Sequence, residues 1–218
     1  MGFTVTDAMR ADIKKAVEEL EKVTTGEMVC VVTQSSARYV LFPLLWAALA
    51  ALLLPLANPL FFTDADGFSE GFSITFAEQS WTFVILAALF VLSPLRHKVT
   101  PPGVCITNCR RYAFEQFFAH KLNETNKRSG VMLFVSLDEK YVELLADKGI
   151  NDKVEPAEWD KIIDDFIADV RTGKVHEGYI KAVKACETVL VRHFPEVSND
   201  VNELSDQLVE LPKAEFLS

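Results

Sequence analysis

Basic charge is what this chain is short of. Its 218 residues carry 22 lysines and arginines against 31 acids, a net charge of −9. A nucleic-acid-binding chain needs a basic face to displace counterions from phosphates, and no such face is visible here. The sequence also lacks a glycine-rich phosphate loop, an HExxH pair and a CxxC pair, so it carries no motif for nucleotide, zinc-protease or dithiol chemistry. The four cysteines all lie on the flanks of the apolar stretches that are expected to be cytoplasmic, where disulfides are rare. Cys105 and Cys109 have a marginal metal spacing without a second ligand pair, and Cys30, Cys105, Cys109 and Cys186 are expected to be free thiols. No metal and no cofactor is expected. Met1 to Lys22 shows no basic segment leading into an apolar run, so no signal peptide is expected either.

Charge is missing altogether from two stretches, Tyr39 to Phe62 and Gln79 to Leu95. A helix needs about 20 apolar residues to cross the roughly 30 Å hydrocarbon layer, and the first stretch meets that length. The second is shorter and is supported by Phe72, Ile74, Phe76 and Trp81 ahead of it. Together they predict a transmembrane hairpin. With 50% hydrophobic and 24% charged residues and a mean hydropathy of +0.16, most of the chain remains polar enough for a water-facing domain. Arg38 precedes the first span and Arg96, His97 and Lys98 follow the second, while the loop holds Asp64, Asp66, Glu70 and Glu78 and no base. The positive-inside rule then puts both flanks in the cytoplasm and the loop outside, as expected of a two-span protein of a plasma membrane. The lipid bilayer is the first expected partner, and Arg38, Arg96, Lys98, Arg110 and Arg111 are the candidates for head-group contact.

Around the hairpin the periodicity is that of a mixed domain. Met9, Ile13, Val17, Leu20 and Val23 recur at helical spacing, which predicts a helix over about 7–23, capped by Thr4 or Thr6 and ended by Gly26. Met28 to Thr33 is a β-branched run that reads as a buried strand. Pro101-Pro102-Gly103 reads as a break, after which Phe114, Phe117, Phe118 and Leu122 define a helix over about 108–124. Val131 to Leu137 and Tyr141 to Asp147, separated by a polar turn, predict an antiparallel hairpin. Trp159, Ile162, Ile163, Phe166, Ile167 and Val170 form one helical stripe ended by Gly173. Tyr179, Val183, Cys186, Leu190 and Phe194 form another, stopped by Pro195.

Three of these segments carry a family resemblance: Thr24-Thr25-Gly26-Glu27-Met28-Val29, Arg128 through Leu137, and Val142 through Ile150. In order and spacing they resemble the TPM domain. Trp159, His193-Phe194-Pro195 and Asn202-Glu203-Leu204 are similar to the bacterial membrane branch, in which a two-span hairpin interrupts the domain. The resemblance implies an α/β (α+β) sandwich with a small mixed sheet and flanking helices. It also implies a choice of roles, since some members are acid phosphatases or calcium binders and others are assembly factors of membrane complexes. A LemA-type membrane protein is the partner that this branch implies.

Within the residues themselves, candidates for chemistry are few. Asp147, followed by Lys148, Gly149 and Asp152, stands at a strand end before a glycine turn, where a phosphatase would need a carboxylate to hold a metal or to act as nucleophile. The bland alternative is turn capping by an Asx side chain. Asp160, Asp164, Asp165 and Asp169 share a helical face that reads as solvated. Val197, Val201, Leu204, Leu208 and Leu211 recur at spacings of three and four in an acidic tail, which predicts an amphipathic helix. That helix either docks on its own domain or captures a partner through Val201, Leu204, Leu208 and Leu211.

The expected organisation is a first domain part over 1–38, the hairpin over 39–97, a second domain part over 98–195 and the tail helix over 196–218. The expected function is that of a non-enzymatic subunit or accessory factor of a membrane assembly, with a membrane protein or a second copy as partner and no nucleic acid. A membrane-bound acid phosphatase or a divalent-cation-binding domain is the alternative.

Overall fold

The computed structural model describes residues 5–61, 68–92, 98–125, 127–195 and 208–211, with side chains described outside 55–61 and 68–75. The chain divides into two compact units. One comprises residues 1–37 and 106–218, the other residues 38–105.

The first unit is built on a four-stranded mixed sheet in the order β3-β2-β1-β4. Strands β1 (Glu27–Thr33) and β2 (Gly130–Ser136) run parallel with Glu27 opposite Gly130, and both are buried throughout. Strand β3 (Tyr141–Ala146) returns antiparallel to β2, as the alternation and the short polar turn predict. A parallel pair needs both faces covered, which explains the unbroken apolar runs of β1 and β2. On one face lie α1 (Asp7–Glu21), α6 (Pro156–Arg171) and α7 (Val175–His193), packed on Met28, Cys30, Val32, Val131, Leu133 and Val135. On the other lies α4 (Pro102–Ala119), whose Ala113 and Phe117 meet Val29, Val31, Met132 and Phe134. A four-residue helix, α5 (Lys148–Asn151), follows β3.

Thr6 caps α1 by accepting from the Met9 amide at 3.2 Å, but the helix ends at Glu21 instead of 23, and Val23 is exposed. Pro102 does not break the chain. It is the first residue of α4, where a missing N–H costs nothing and a fixed φ favours the helix. The phenylalanine stripe is also divided: Phe117 and Leu122 are buried, while Phe114 and Phe118 are exposed. The largest correction concerns the tail. Val209–Leu211 is not helical but forms β4, parallel to β1 with Val31 opposite Val209. Leucines at spacings of three and four fit a helix stripe, yet a three-residue strand leaves no period to detect. Leu208 is buried in the main core, and Leu211 packs against the second cluster, so both serve their own domain. Val201 and Leu204 lie outside the described residues.

Tyr179 is fully buried in that main core, with its ring edge-on to Phe166 at 5.0 Å. Its hydroxyl meets no hydrogen-bond partner among the described residues, and burial raises its ionisation well above the ordinary range. Phenylalanine preserves the packing and removes a desolvated donor. Tyr179→Phe should therefore gain about 1 kcal/mol of stability, read as a rise in thermal midpoint in mild detergent. A fall in that midpoint would show the hydroxyl to be satisfied after all.

The second unit contains α2 (Leu41–Phe61) and α3 (Phe68–Leu92), which pack against each other. Helix α3 begins well before Gln79, the expected start of the second span. Among the described residues no helix is long and apolar enough to cross a membrane. In the described part of α2, Pro43, Ala47 and Ala51 are buried, whereas Leu41, Leu45, Leu49, Leu52 and Leu53 are exposed. Small residues face inward and large apolar ones outward. Trp46 donates its indole N–H to the Val99 carbonyl at 2.9 Å.

Candidate functional site

Two polar sites sit at opposite ends of the parallel strands. The first gathers the three segments that carried the resemblance, where β1 and β2 begin and β3 ends. Asp147 is 6% exposed and caps α5, with Oδ1 accepting from the Lys148 amide at 2.7 Å. Arg128 completes a fork, its Nε to Oδ2 at 2.8 Å and Nη2 to Oδ1 at 3.3 Å. Arg128 itself holds φ +53, a left-handed conformation uncommon outside glycine. The Asp147 amide donates to the Gly130 carbonyl at 2.9 Å, and Ser129 Oγ donates to the Thr25 carbonyl at 2.7 Å. Thr24 Oγ1 donates to the Phe194 carbonyl, closing the end of α7 onto the start of β1. Two glycines let backbones touch. A Cβ on Gly130 would lie 2.2 Å from the Leu122 oxygen, and one on Gly149 would lie 2.6 Å from the Arg128 oxygen.

Asp147 is therefore the Asx cap that was its bland alternative, and both of its oxygens are engaged. Asp152 is the C-cap of α5 and is exposed. Among the described residues no cluster of three potential metal ligands occurs.

The second site lies just beyond the C-terminal ends of β1 and β2, the end at which parallel sheets commonly bind ligands. Here the position is filled by the protein's own Glu139, from the β2–β3 turn. Its Oε1 accepts from Ser35 Oγ at 2.9 Å and from the Ser36 amide at 3.0 Å, and its Oε2 accepts from Ser136 Oγ at 2.5 Å. Ser36 Oγ donates onward to Ser136 Oγ at 2.8 Å. Ser136 is 0% exposed, so its hydroxyl cannot reach a substrate even with a carboxylate beside it. The network acts as a latch, fixing the chain as it leaves β1 for the second unit. Sequence inspection missed it because Ser35 and Glu139 are 104 positions apart. The only local signal was three polar residues, Gln34 to Ser36, at the end of an apolar strand.

The remaining candidates are dispersed. Arg110 lies 3.5 Å from Glu143 and 5.8 Å from the Phe114 ring centroid, and Arg111 lies 3.6 Å from Glu115. Burial pushes the Glu143 carboxyl up, although the Tyr141 hydroxyl and Arg110 oppose the shift. Arg38 and Lys98 are exposed, and Arg96 lies outside the described residues. Asp160, Asp164 and Asp165 are exposed, and Asp169 pairs with Lys181 at 2.9 Å. The four cysteines form no disulfide; Cys30, Cys109 and Cys186 are buried, and burial pushes the Cys186 thiol up to about 12. Gly67-Phe68-Ser69-Glu70-Gly71 has the letters of a nucleophile elbow. The element before it is α2 and not the strand that leads into an elbow, and Gly67 lies outside the described residues.

These features define a mixed α/β domain with helices on both faces of a small sheet, interrupted after its first strand by a helical unit. Residues 103–189 match the model of the TPM domain family. The fold is similar to that of the BA42 protein from the psychrophilic bacterium Bizionia argentinensis, solved by NMR. The TM-score is 0.59 at 16% identity, over 96% of this chain and 97% of that one, and at such identity the likeness concerns the fold alone. No curated protein matches the chain.

Proposed function

We propose that this chain is an integral inner-membrane protein of a bacterium, in which a cytoplasmic TPM-like domain works as a non-enzymatic accessory subunit of a membrane protein assembly. One observation carries the membrane part: the inside-out packing of α2. Water-facing helices bury their leucines, whereas helices in lipid gain nothing by hiding them and pack through small residues. Pro43, Ala47 and Ala51 inside with five leucines outside follow the lipid pattern. Exposed Trp81, Val84, Ile85, Leu89 and Leu92 extend the apolar surface along α3, beyond what a water-exposed monomer ordinarily leaves bare. A LemA-type protein or a second copy is the partner to look for.

The accessory role rests on the closed state of both polar sites. Asp147→Asn should cost about 2 kcal/mol, because it weakens a buried cap and the fork to Arg128. It should leave phosphomonoester hydrolysis unchanged at background across pH 5 to 8 with magnesium or calcium. Turnover by the purified protein that disappears in Asp147→Asn would establish the alternative, a membrane-bound phosphatase. Membrane residence is checked by alkaline extraction, after which the full chain should stay with the bilayer pellet. A stoichiometric membrane partner should co-purify from mild detergent, and its absence from native membranes removes the main support for an accessory role.

A further inference from the structure

We propose that α4 is a second membrane contact, an interfacial helix whose ridge of Ile106, Phe114 and Phe118 seats in the head-group layer of an anionic bilayer, with Arg110 and Arg111 on lipid phosphates. The proposal rests on the membrane reading above. Its starting point is the division of the phenylalanine stripe. Phe117 and Ala113 satisfy the sheet face, yet Ile106, Phe114 and Phe118 remain 52%, 40% and 57% exposed. With Arg110 they follow at intervals of four, so they lie along one side of the helix. Arg110 and Arg111 are more than half exposed; the half-buried Glu143 stands 3.5 Å from Arg110 and the exposed Glu115 stands 3.6 Å from Arg111, both longer than the tight fork of a fixed ion pair.

Charge selects the occupant. Between Glu78 and Glu115 the sequence holds no acid, although the whole chain is at −9, and it holds Arg96, Lys98, Arg110 and Arg111. This basic segment starts where the apolar helix α3 ends, and nine residues separate Leu92 from Pro102. Aromatic and branched side chains interleaved with arginine are the composition of helices that lie in a bilayer interface. A cluster of basic residues beside an apolar helix is attracted to anionic lipid by about 1 kcal/mol per charge.

The test uses the full chain in nanodiscs containing phosphatidylglycerol, with a nitroxide on Phe118→Cys in a Cys105→Ser background. The other three thiols are buried and stay unlabelled. Accessibility to oxygen and to a water-soluble nickel chelate reports depth. Labels on Ile85→Cys in α3 and on Lys184→Cys in α7, on the other face of the sheet, serve as references. The label at 118 should favour oxygen severalfold over the label at 184. That preference should shrink in nanodiscs of phosphatidylcholine alone and in an Arg111→Gln background, and Phe114→Cys should repeat the pattern. A label at 118 that reads as water while the label at 85 reads as lipid overturns the proposal and leaves the membrane reading intact. Shielding of 118 from both agents means a protein contact and also overturns it. A label at 85 that reads as water defeats the membrane reading itself, and the proposal with it.

Discussion

Gly130→Ala is expected to cost on the order of 4 kcal/mol, enough to leave little folded domain. The position does not need a left-handed backbone; it needs the absence of a side chain. A Cβ there would stand 2.2 Å from the Leu122 oxygen, 2.9 Å from its carbon and 3.0 Å from its Cα, all of them backbone atoms. Neither side can retreat. Gly130 is held in the β1–β2 ladder opposite Glu27 and accepts from the Asp147 amide, and Leu122 is fully buried with its amide on the Phe117 carbonyl. Gly103 supplies the internal control. Nothing lies within 4 Å of its added Cβ, and in the first turn of α4 alanine should be neutral or slightly stabilising, by up to about 1 kcal/mol. Thermal unfolding followed by circular dichroism in mild detergent separates the two. A Gly130→Ala protein that melts with the parent would mean that the crossing of the two chains is looser than these distances require.

The same crossing explains what the family resemblance was made of. Arg128-Ser129-Gly130 opens one of the segments that carry the resemblance, Asp147-Lys148-Gly149 was the candidate place for a metal or a nucleophile, and in the fold the two clamp each other. Arg128 forks onto Asp147, Asp147 bonds to the start of β2, and Gly149 gives room to the carbonyls of Lys127 and Arg128. A segment that resembles a family motif can therefore record a backbone crossing as well as a reaction. The strands β1 to β3 and the helices α6 and α7 were legible because each is long enough to show its period and each buries one face or both. The start of α4 was misread because proline breaks a helix interior but favours its first turn. The Glu139 latch and the split of Phe114 and Phe118 from Phe117 depend on which neighbour covers which face, and local spacing does not carry that information.

The tail was hardest to read, and it gives the second large effect. Leu208→Asp should release β4 from the sheet and lower the protection of its amides against hydrogen exchange by about 100-fold, equivalent to about 3 kcal/mol. Leu208 is 5% exposed in the main core, so an aspartate there loses the apolar burial and carries a charge into an apolar surrounding. The penalty is limited by the docking energy of the segment, because β4 is a three-residue edge strand held by Val31, Val32 and Thr33 and by an exposed Arg10–Glu210 ion pair. It can leave without dragging the rest along. Amides of β2 and β3 should keep their protection, while β1 becomes an open edge along Val31–Thr33, prone to pairing with other chains. An amphipathic helix that only captured a partner would behave differently. In that case Leu208→Asp would reduce co-purification of the partner and leave exchange in the isolated protein unchanged. Loss of protection at Val209–Leu211 with the partner absent ties Leu208 to the sheet, and any capture by the tail must then run through residues other than Leu208.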